Sequence, residues 1–498
     1  MLLPEISREH ATGQGERVPL VAIVGGGCAG TLVAANLLRR FDGPLRVVVI
    51  ERSGRFGPGV AYATDDPQHL LNVPAQNMSA FCEEPAHFAA WAAQRLDGNV
   101  DSGDYLPRGV YGEYLSAVLT DSRARAWPQR TLSLVDGEAV SVDRTRTGVE
   151  LLLADTTSIA CDLVVLATGA LASRGIAQLP SDPRVIDDQW APGALAGEGS
   201  KGLTVIVGTG LSAVDAALSV CAEGGRVLAL SRGGRLPRAQ LPGPRAPQPL
   251  PTLPSGPVTL AALEELVREH VAETQRRGYD WRDAIDGVRP VTPQLWAALP
   301  TGERRRFLRE RLRVWEIRRH RMAPAVAARL RTLLDSGLMT LQAGSVSAAR
   351  TDADGIELDV AIGPSRSVRT LACERIVVCT GAGTDIRCSA GPLLQALMAD
   401  GHASPDPLGL GLRTNRDGAL LDSRGHADGR VLTLGALRRG ELWETTAVQE
   451  IRAQAEGLAR TIERALHSST GSPRSSACGI PRKATAHNNQ TACPSGRE

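Results

Sequence analysis

The chain has 498 residues, of which 43% are hydrophobic and 22% charged, with a formal net charge of +2. That length is too great for one ordinary core and predicts two or three domains. The small net charge gives no global pull towards nucleic acid, and no apolar run approaches the roughly 20 residues that span a bilayer. Residues 1–18 read as an N-terminal extension without the continuous apolar region of a signal peptide, so the expected compartment is the cytoplasm. Nine cysteines, at 28, 82, 161, 221, 373, 379, 388, 478 and 493, are scattered and form no CxxC pair or Cys/His cluster at metal spacing. They read as reduced structural thiols, and no metal site is expected.

Val21-Ala-Ile-Val24 is a short apolar strand, and it runs into Gly25-Gly-Gly27-Cys-Ala-Gly30 and then a helix. Gly25 permits a tight turn, Gly27 lets a pyrophosphate approach the backbone, and Gly30 brings helix and strand together. A second strand, Arg46-Val-Val-Val-Ile50, ends in Glu51 and Arg52 at the spacing suited to a ribose diol. The turn-rich stretch Gly54 to Met78 follows, read as an ordered loop over a flavin, with a self-packed surface loop as the alternative. His69 within it reads as structural.

Helices are predicted over Pro85–Leu96 and Tyr111–Ser122. Then one pattern occurs twice. Glu138 to Asp143, a turn, Val149 to Leu153 and a buried run from Cys161 ending at Thr168-Gly169 form the first copy; Gly344 to Arg350, a turn, Ile356 to Val360 and a run from Cys373 ending at Thr380-Gly381 form the second. Each follows its own fingerprint, the second being Leu203-Thr-Val-Ile-Val-Gly208-Thr-Gly210-Leu-Ser212 with a partner strand ending at Ser231-Arg232. This is the plan of a flavoprotein with two dinucleotide-binding domains. Glu51 suits the adenosine ribose of FAD, and Arg232 offers a guanidinium to the 2′-phosphate of NADPH, although it could also stack on the adenine of NADH.

Leu241 to Pro257 is proline-rich, and Val258–Arg277 and Pro300–Gly337 read as inserted helices. Arg306, Arg309 and Arg313 read as a solvated face, and Arg318 to Pro324 as the better place to meet an anion. The return segment, Gly429 to Ala447, should set backbone N–H groups near Gly435 and Thr446 beside the flavin, followed by a helix to Arg464. From His467 onwards the composition predicts disorder.

The expected class is therefore α/β, with two Rossmann-like domains, the second inserted in the first, and a helical insertion. The boundaries are 19–175 for the first part of the FAD domain, 176–372 for the NAD(P) domain with its helices at about 240–337, 373–465 for the return, and 466–498 for a disordered tail. The expected cofactor-binding residues are Gly25, Gly27, Gly30, Glu51, Arg52, Thr168, Gly169, Gly208, Gly210, Ser212, Arg232, Thr380, Gly381, Gly435 and Thr446.

Several runs together resemble the FAD/NAD(P)-binding family that includes a bacterial FAD-dependent urate hydroxylase and a nitrosuccinate-forming aspartate N-monooxygenase. They are Gly57-x-Gly59-Val-Ala-Tyr-Ala-Thr64, His69-Leu-Leu-Asn-Val-Pro-Ala75, Tyr105-Leu-Pro-Arg108, Tyr111-Gly, Gly208-Thr-Gly210-Leu, Arg319-His320-Arg321 and Leu434 to Ala447. The resemblance spans nearly all of residues 20–465 and implies reduction of FAD by NADH or NADPH, then oxygen transfer from O2 to a small molecule. By compact length the chain looks more like the urate hydroxylase branch, implying urate as substrate and 5-hydroxyisourate as product, with an amino acid such as aspartate as runner-up. A flavin reductase and a nucleotide-binding sensor that never turns over are the other readings. The residues name no catalytic acid or base, and they leave the oligomeric state open.

Overall fold

The computed structural model describes residues 17–470 apart from 99, 174, 192, 196–201, 244, 354 and 364. Residues 1–16 and 471–498, which hold most of the expected N-terminal extension and tail, lie outside the described residues.

The first unit opens with β1 (Leu20–Val24), the helix Cys28–Arg40 and β2 (Leu45–Glu51). Both strands are almost wholly buried, as a parallel sheet covered on both faces requires. The helices His87–Arg95 and Arg108–Ala126 follow, then β3 (Arg130–Asp136) and the meander β4 (Ala139–Arg144), β5 (Val149–Leu153) and β6 (Ser158–Cys161), which feeds β7 (Leu163–Leu166). The chain then crosses to the second unit: β8 (Val185–Ile186), β9 (Leu203–Val207), the helix Leu211–Ala222 and β10 (Arg226–Ser231). After the helical insertion come β11 (Met339–Ala343), a second meander of β12 (Ser345–Thr351), β13 (Ile356–Ile362) and β14 (Ser367–Cys373), and β15 (Arg375–Val378). The chain returns through the helix Pro392–Ala399, β16 (Ala419–Leu421) and β17 (Ala427–Thr433) to the helix Val448–Thr470.

Two parallel sheets result. The first has six strands in the order β16-β17-β7-β1-β2-β3, antiparallel only where β16 meets β17. The second has five in the order β11-β10-β9-β15-β8. Each sheet carries helices on one face and its own three-stranded antiparallel meander on the other. In the first, the helices 28–40, 108–126 and 448–470 bury Ile23, Val47 and Val49 on one face, while Val142, Leu151 and Ile159 of the meander cover the other. The fold is thus two Rossmann-like dinucleotide-binding domains, the second inserted in the first.

Three boundaries differ from expectation. Strand β15 pairs with β9 and β8, so the run ending at Thr380-Gly381 completes the second sheet rather than beginning the return at 373. The strand that follows the meander pairs with the fingerprint strand in both units, β7 with β1 and β15 with β9. The predicted helix 300–337 is three, Thr301–Glu310, Leu312–Arg319 and Pro324–Asp335, broken at Arg311 and again before Pro324, which holds Ala323 extended and opens the third helix. Two more, Trp281–Val288 and Thr292–Ala298, complete the insertion. The last helix runs on to Thr470: Leu466 is buried and His467 packs edge-on against Phe41, so apolar burial carries the chain past the point where composition alone predicts disorder. No helix among the described residues is long and apolar enough to cross a membrane.

Candidate active site

The first fingerprint is a compact turn wedged between strand ends. Gly25 has φ 108° and donates its N–H to Ile50 at 2.8 Å; a Cβ there would lie 2.3 Å from the Ala167 carbonyl oxygen. A Cβ on Gly30 would lie 1.9 Å from the Gly25 carbonyl oxygen, so only glycine lets the helix pack this closely. The helix starts at Gly27 without a side-chain cap, leaving first-turn N–H groups for an anion. Glu51 accepts from the Gly26 N–H at 2.8 Å and from the Ser53 N–H at 3.0 Å, and its two oxygens retain acceptor capacity for a ribose diol. These features fit the adenosine and pyrophosphate portion of FAD. Arg52 is exposed and points to Glu138 at 3.7 Å.

The second fingerprint repeats this geometry with different fastenings. Gly208, at φ 130°, donates to Leu230 at 2.8 Å, and its Cβ would meet the Cys379 carbonyl oxygen at 2.1 Å. The helix begins after Gly210, again without a side-chain cap and with Ser212 in its first turn; a Cβ on Gly210 would meet nothing within 4 Å. Thr209 bonds Ser231 at 2.9 Å, and Arg232 beside it is exposed. One guanidinium nitrogen of Arg313 donates to the Thr209 carbonyl at 2.8 Å, to the Thr209 hydroxyl at 3.0 Å and to the Arg235 carbonyl at 2.7 Å. The expectation of a solvated face holds for Arg306 and Arg309, which pair with Glu310 at the surface, and is corrected for Arg313. That residue braces the second turn.

The crossovers between units run side by side. The Gly383 N–H donates to the Leu171 carbonyl at 3.1 Å, and Ser173 lies 3.3 Å from the Thr380 hydroxyl, so the segments that follow the two exposed Thr-Gly pairs touch. A second bridge is made by His69, whose Nδ1 meets the Thr64 hydroxyl at 2.8 Å and whose Nε2 meets the Ser219 hydroxyl at 2.9 Å, with Arg108 and Asp215 paired nearby at 2.9 Å. His69 is therefore structural, as read from the sequence.

The return segment and the insertion meet along the helix Leu312–Arg319. Gly435, at φ 71°, donates its N–H to Gln454 at 3.1 Å, and Thr445 donates to the Gly435 carbonyl at 3.0 Å. The Gly435 amide is thus engaged by protein, and Thr445 rather than Thr446 locks the turn; Thr446 is exposed. Trp443 has φ 60° and ψ −68°, and the Glu444 N–H donates back to Leu442 at 2.7 Å. This three-residue turn is rare and strained. Trp296 holds it by stacking on Trp443 at 4.6 Å and donating its Nε1–H to the Gly440 carbonyl at 2.8 Å.

Around it lies a dense set of charges. Arg319 pairs with Glu444 at 3.2 Å, both buried. Burial works to raise the Glu444 carboxyl, but Arg319, His320 and Arg289 outweigh it and leave it below the usual carboxylate range. Arg289 grips Glu450 through two bonds of 2.5 and 2.7 Å, and Arg321 does the same with Asp286. The expected anion-meeting arginines 319 and 321 are thus already matched by carboxylates contributed by distant segments. His320 differs, because its ring is open to solvent although protein surrounds it on most sides. The enclosing protein, aided by Arg319, pushes its pKa down to about 4, so it is neutral at pH 7.

Thiol chemistry finds little support. The seven cysteines among the described residues are all free; burial pushes Cys28 up to about 12 and, with Asp215 adding, raises Cys379 as well.

Residues 22–171 match the model of an FAD-NAD(P)-binding family, the span of the first fingerprint and meander. No curated protein matches the chain by sequence. Solved structures do match by shape. The cadaverine monooxygenase DfoA of the desferrioxamine pathway from Erwinia amylovora, bound to FAD, has a TM-score of 0.62 at 14% identity, covering 95% of this chain and 100% of its own. The ornithine hydroxylase PvdA from Pseudomonas aeruginosa, in its reduced form, has a TM-score of 0.59 at 17% identity, covering 90% and 100%. The ornithine N-hydroxylase KtzI from Kutzneria sp. 744, with reduced FAD, NADP+ and L-ornithine, has a TM-score of 0.60 at 15% identity, also covering 90% and 100%. At these identities the likeness is one of fold. With the family match it supports FAD as cofactor and NAD(P)H as reductant, the pair expected from the two fingerprints.

Proposed function

We propose that this chain is a FAD-dependent monooxygenase that consumes NAD(P)H and O2 and N-hydroxylates a small primary amine, an amino acid such as aspartate included. The observation that carries the reading is the joint arrangement of two uncapped fingerprint helices, two adjacent Thr-Gly crossovers and a helical insertion that seals the return segment. Whole-chain likeness in fold to N-hydroxylases of ornithine and to a cadaverine monooxygenase supports it. Urate hydroxylation, expected from the shared motifs and the compact length, becomes the lesser reading.

FAD would be held by the Gly25 to Gly30 turn and Glu51, and the nicotinamide dinucleotide by Gly208 to Ser212 with Arg232. Bound FAD, once reduced, supplies the oxygen-activating chemistry. The protein's own residues orient and shield. Trp296, Trp443, Leu299 and Leu410 form an apolar wall where the insertion meets the return segment, which limits water. His320, neutral at pH 7, offers a polar edge without adding charge that would repel an ammonium.

The test is a substrate screen on the purified flavoprotein. NADPH oxidation should accelerate with a primary amine and yield a hydroxylamine carrying one atom from labelled O2. Urate consumed with labelled oxygen uptake, while amines stay unchanged, would reverse the assignment.

A further inference from the structure

Aromatic residues are sparse, 3% of the chain, yet three of its five tyrosines stand together in the first unit. Tyr62 meets Tyr111 edge-on with ring centres 4.7 Å apart, Tyr111 lies 5.6 Å from Tyr114, and Tyr114 lies 5.4 Å from Trp91. Phe88 fills the angle between Tyr111 and Tyr114 at 5.0 and 4.9 Å. The result is an unbroken file of rings at contact distance.

Its inner end adjoins the cofactor turn. The short helix Gly59–Tyr62 lies on the first fingerprint, where the Gly57 N–H donates to the Gly26 carbonyl at 2.8 Å and Gly59 closes over Gly27. The Tyr111 hydroxyl faces the Cys28 thiol in the first turn of the fingerprint helix. The outer end is Trp91, half-buried on the helix His87–Arg95.

Packing alone does not account for the phenols. Tyr111 is fully buried, and among the described residues its hydroxyl has no hydrogen-bond partner stronger than that thiol. Phenylalanine would fill the same space without the cost of burying a hydroxyl. Tyr114, equally buried, is fastened differently. Its oxygen accepts from the Ala80 N–H at 3.0 Å, which directs its own proton to Nδ1 of His87, 2.7 Å away. Burial lowers His87 below its usual range against the pull of Glu84, so at pH 7 that nitrogen can accept the proton. A phenol gives up an electron readily only when its proton can leave at the same time, and Tyr114 has the base in place.

Reduced FAD beside O2 is a source of stray one-electron oxidants derived from oxygen, hydroxyl radical among them. We propose that Tyr62, Tyr111, Tyr114 and Trp91 form a path that drains such oxidants from the FAD site to the surface, with His87 as proton acceptor for Tyr114. Tyr62 and Tyr111 keep their protons and relay the electron, so the net loss falls on Tyr114. Its electron reduces hydroxyl radical to hydroxide, and its proton passes to Nδ1 of His87, leaving a neutral tyrosyl radical. Trp91 then returns an electron and His87 the proton, and a soluble reductant of the ascorbate class reduces the oxidised Trp91. The proposal goes beyond the amine reading and rests on FAD binding, not on the identity of the substrate.

The test uses the FAD-loaded full chain as wild type, Tyr114→Phe, Trp91→Phe and His87→Gln, with Trp127→Phe, an exposed tryptophan outside the file, as control. Each is checked for flavin content and melting temperature. Blue light turns bound FAD into a one-electron oxidant, and transient absorption follows the tyrosyl and tryptophan radicals by their separate bands. In the wild type and in Trp127→Phe a neutral tyrosyl signal should form, more slowly in D2O, and pass to tryptophan, where ascorbate erases it. Trp91→Phe should keep the tyrosyl signal and lose the tryptophan one. Tyr114→Phe should lose the tryptophan signal, and His87→Gln should lose the neutral tyrosyl signal with flavin content unchanged. A wild type without a tyrosyl signal, a tryptophan signal that survives in Trp91→Phe or Tyr114→Phe, or one lost in Trp127→Phe would each overturn the path. Amine hydroxylation without light-driven radicals would sink the path and leave the function reading standing; radicals without amine hydroxylation would do the reverse.

Discussion

The two nucleotide-binding units share strand, turn, helix and meander, yet their turns are fastened differently. In the first, Glu51 at the end of the second strand bonds the Gly26 N–H, and Gly59 covers the turn, its Cα 3.2 Å from where a Gly27 Cβ would sit. In the second, the corresponding position is Ser231, space beyond Gly210 is open, and the brace comes from Arg313, 104 residues away in the insertion. The first turn is held within its own unit, while the second depends on the element that also frames the candidate active site. A retained cofactor suits the former, and a reductant that must come and go suits the latter.

Valine in each turn gives the sharpest break in this comparison. Gly27→Val should abolish FAD binding, read as loss of the yellow chromophore. Gly210→Val projects into open space and should keep fold and flavin but block reduction by NAD(P)H, while dithionite still bleaches the flavin. Equal loss of flavin in both would mean that the units do not divide the cofactors this way.

The next largest effect concerns the junction between the units. Arg319→Met leaves Glu444 buried without its partner, and losing one member of such a pair costs about 3–5 kcal/mol. Denaturant unfolding should record that loss; a change under about 1 kcal/mol, the usual worth of an exposed pair, would show that solvent reaches Glu444.

Smaller effects separate bracing from reading. Arg313→Met removes charge-assisted hydrogen bonds worth on the order of 1.5–3 kcal/mol, and should raise KM for NADH and NADPH alike. Arg232→Ala should raise KM for NADPH alone. Identical profiles for the two variants would remove the distinction.

The smallest effect is a pH dependence. His320 is lowered from 6.5 to about 4, so between those values the unfolded chain binds a proton that the folded chain refuses. Its contribution to stability is complete above about pH 6.5 and is lost as pH falls towards 4. His320→Gln should flatten that acid limb, visible as a smaller drop in melting temperature between pH 7 and pH 5.

How much could be read in advance follows from sequence separation. The fingerprints and Thr-Gly strand ends are local patterns in which each glycine answers to a turn or helix start within a few residues, so they were legible without coordinates. The repeat placed two sheets and a meander on each, although the β15 boundary slipped. What stayed hidden was every contact made by residues far apart. Arg313 looked like one arginine of a solvated run, because its acceptors, Thr209 and Arg235, lie 104 and 78 residues upstream. Arg319 and Arg321 looked free because Glu444 and Asp286 lie on other segments.

The sequence by itself determined the two nucleotide units, because phosphate cradles need glycine at fixed short spacings and buried parallel strands need unbroken apolar runs. Only the tertiary structure decided which charges remain available. Charge balance is a sum over segments brought together by folding, and in that sum the arginines 319 and 321 are matched by Glu444 and Asp286 from other segments.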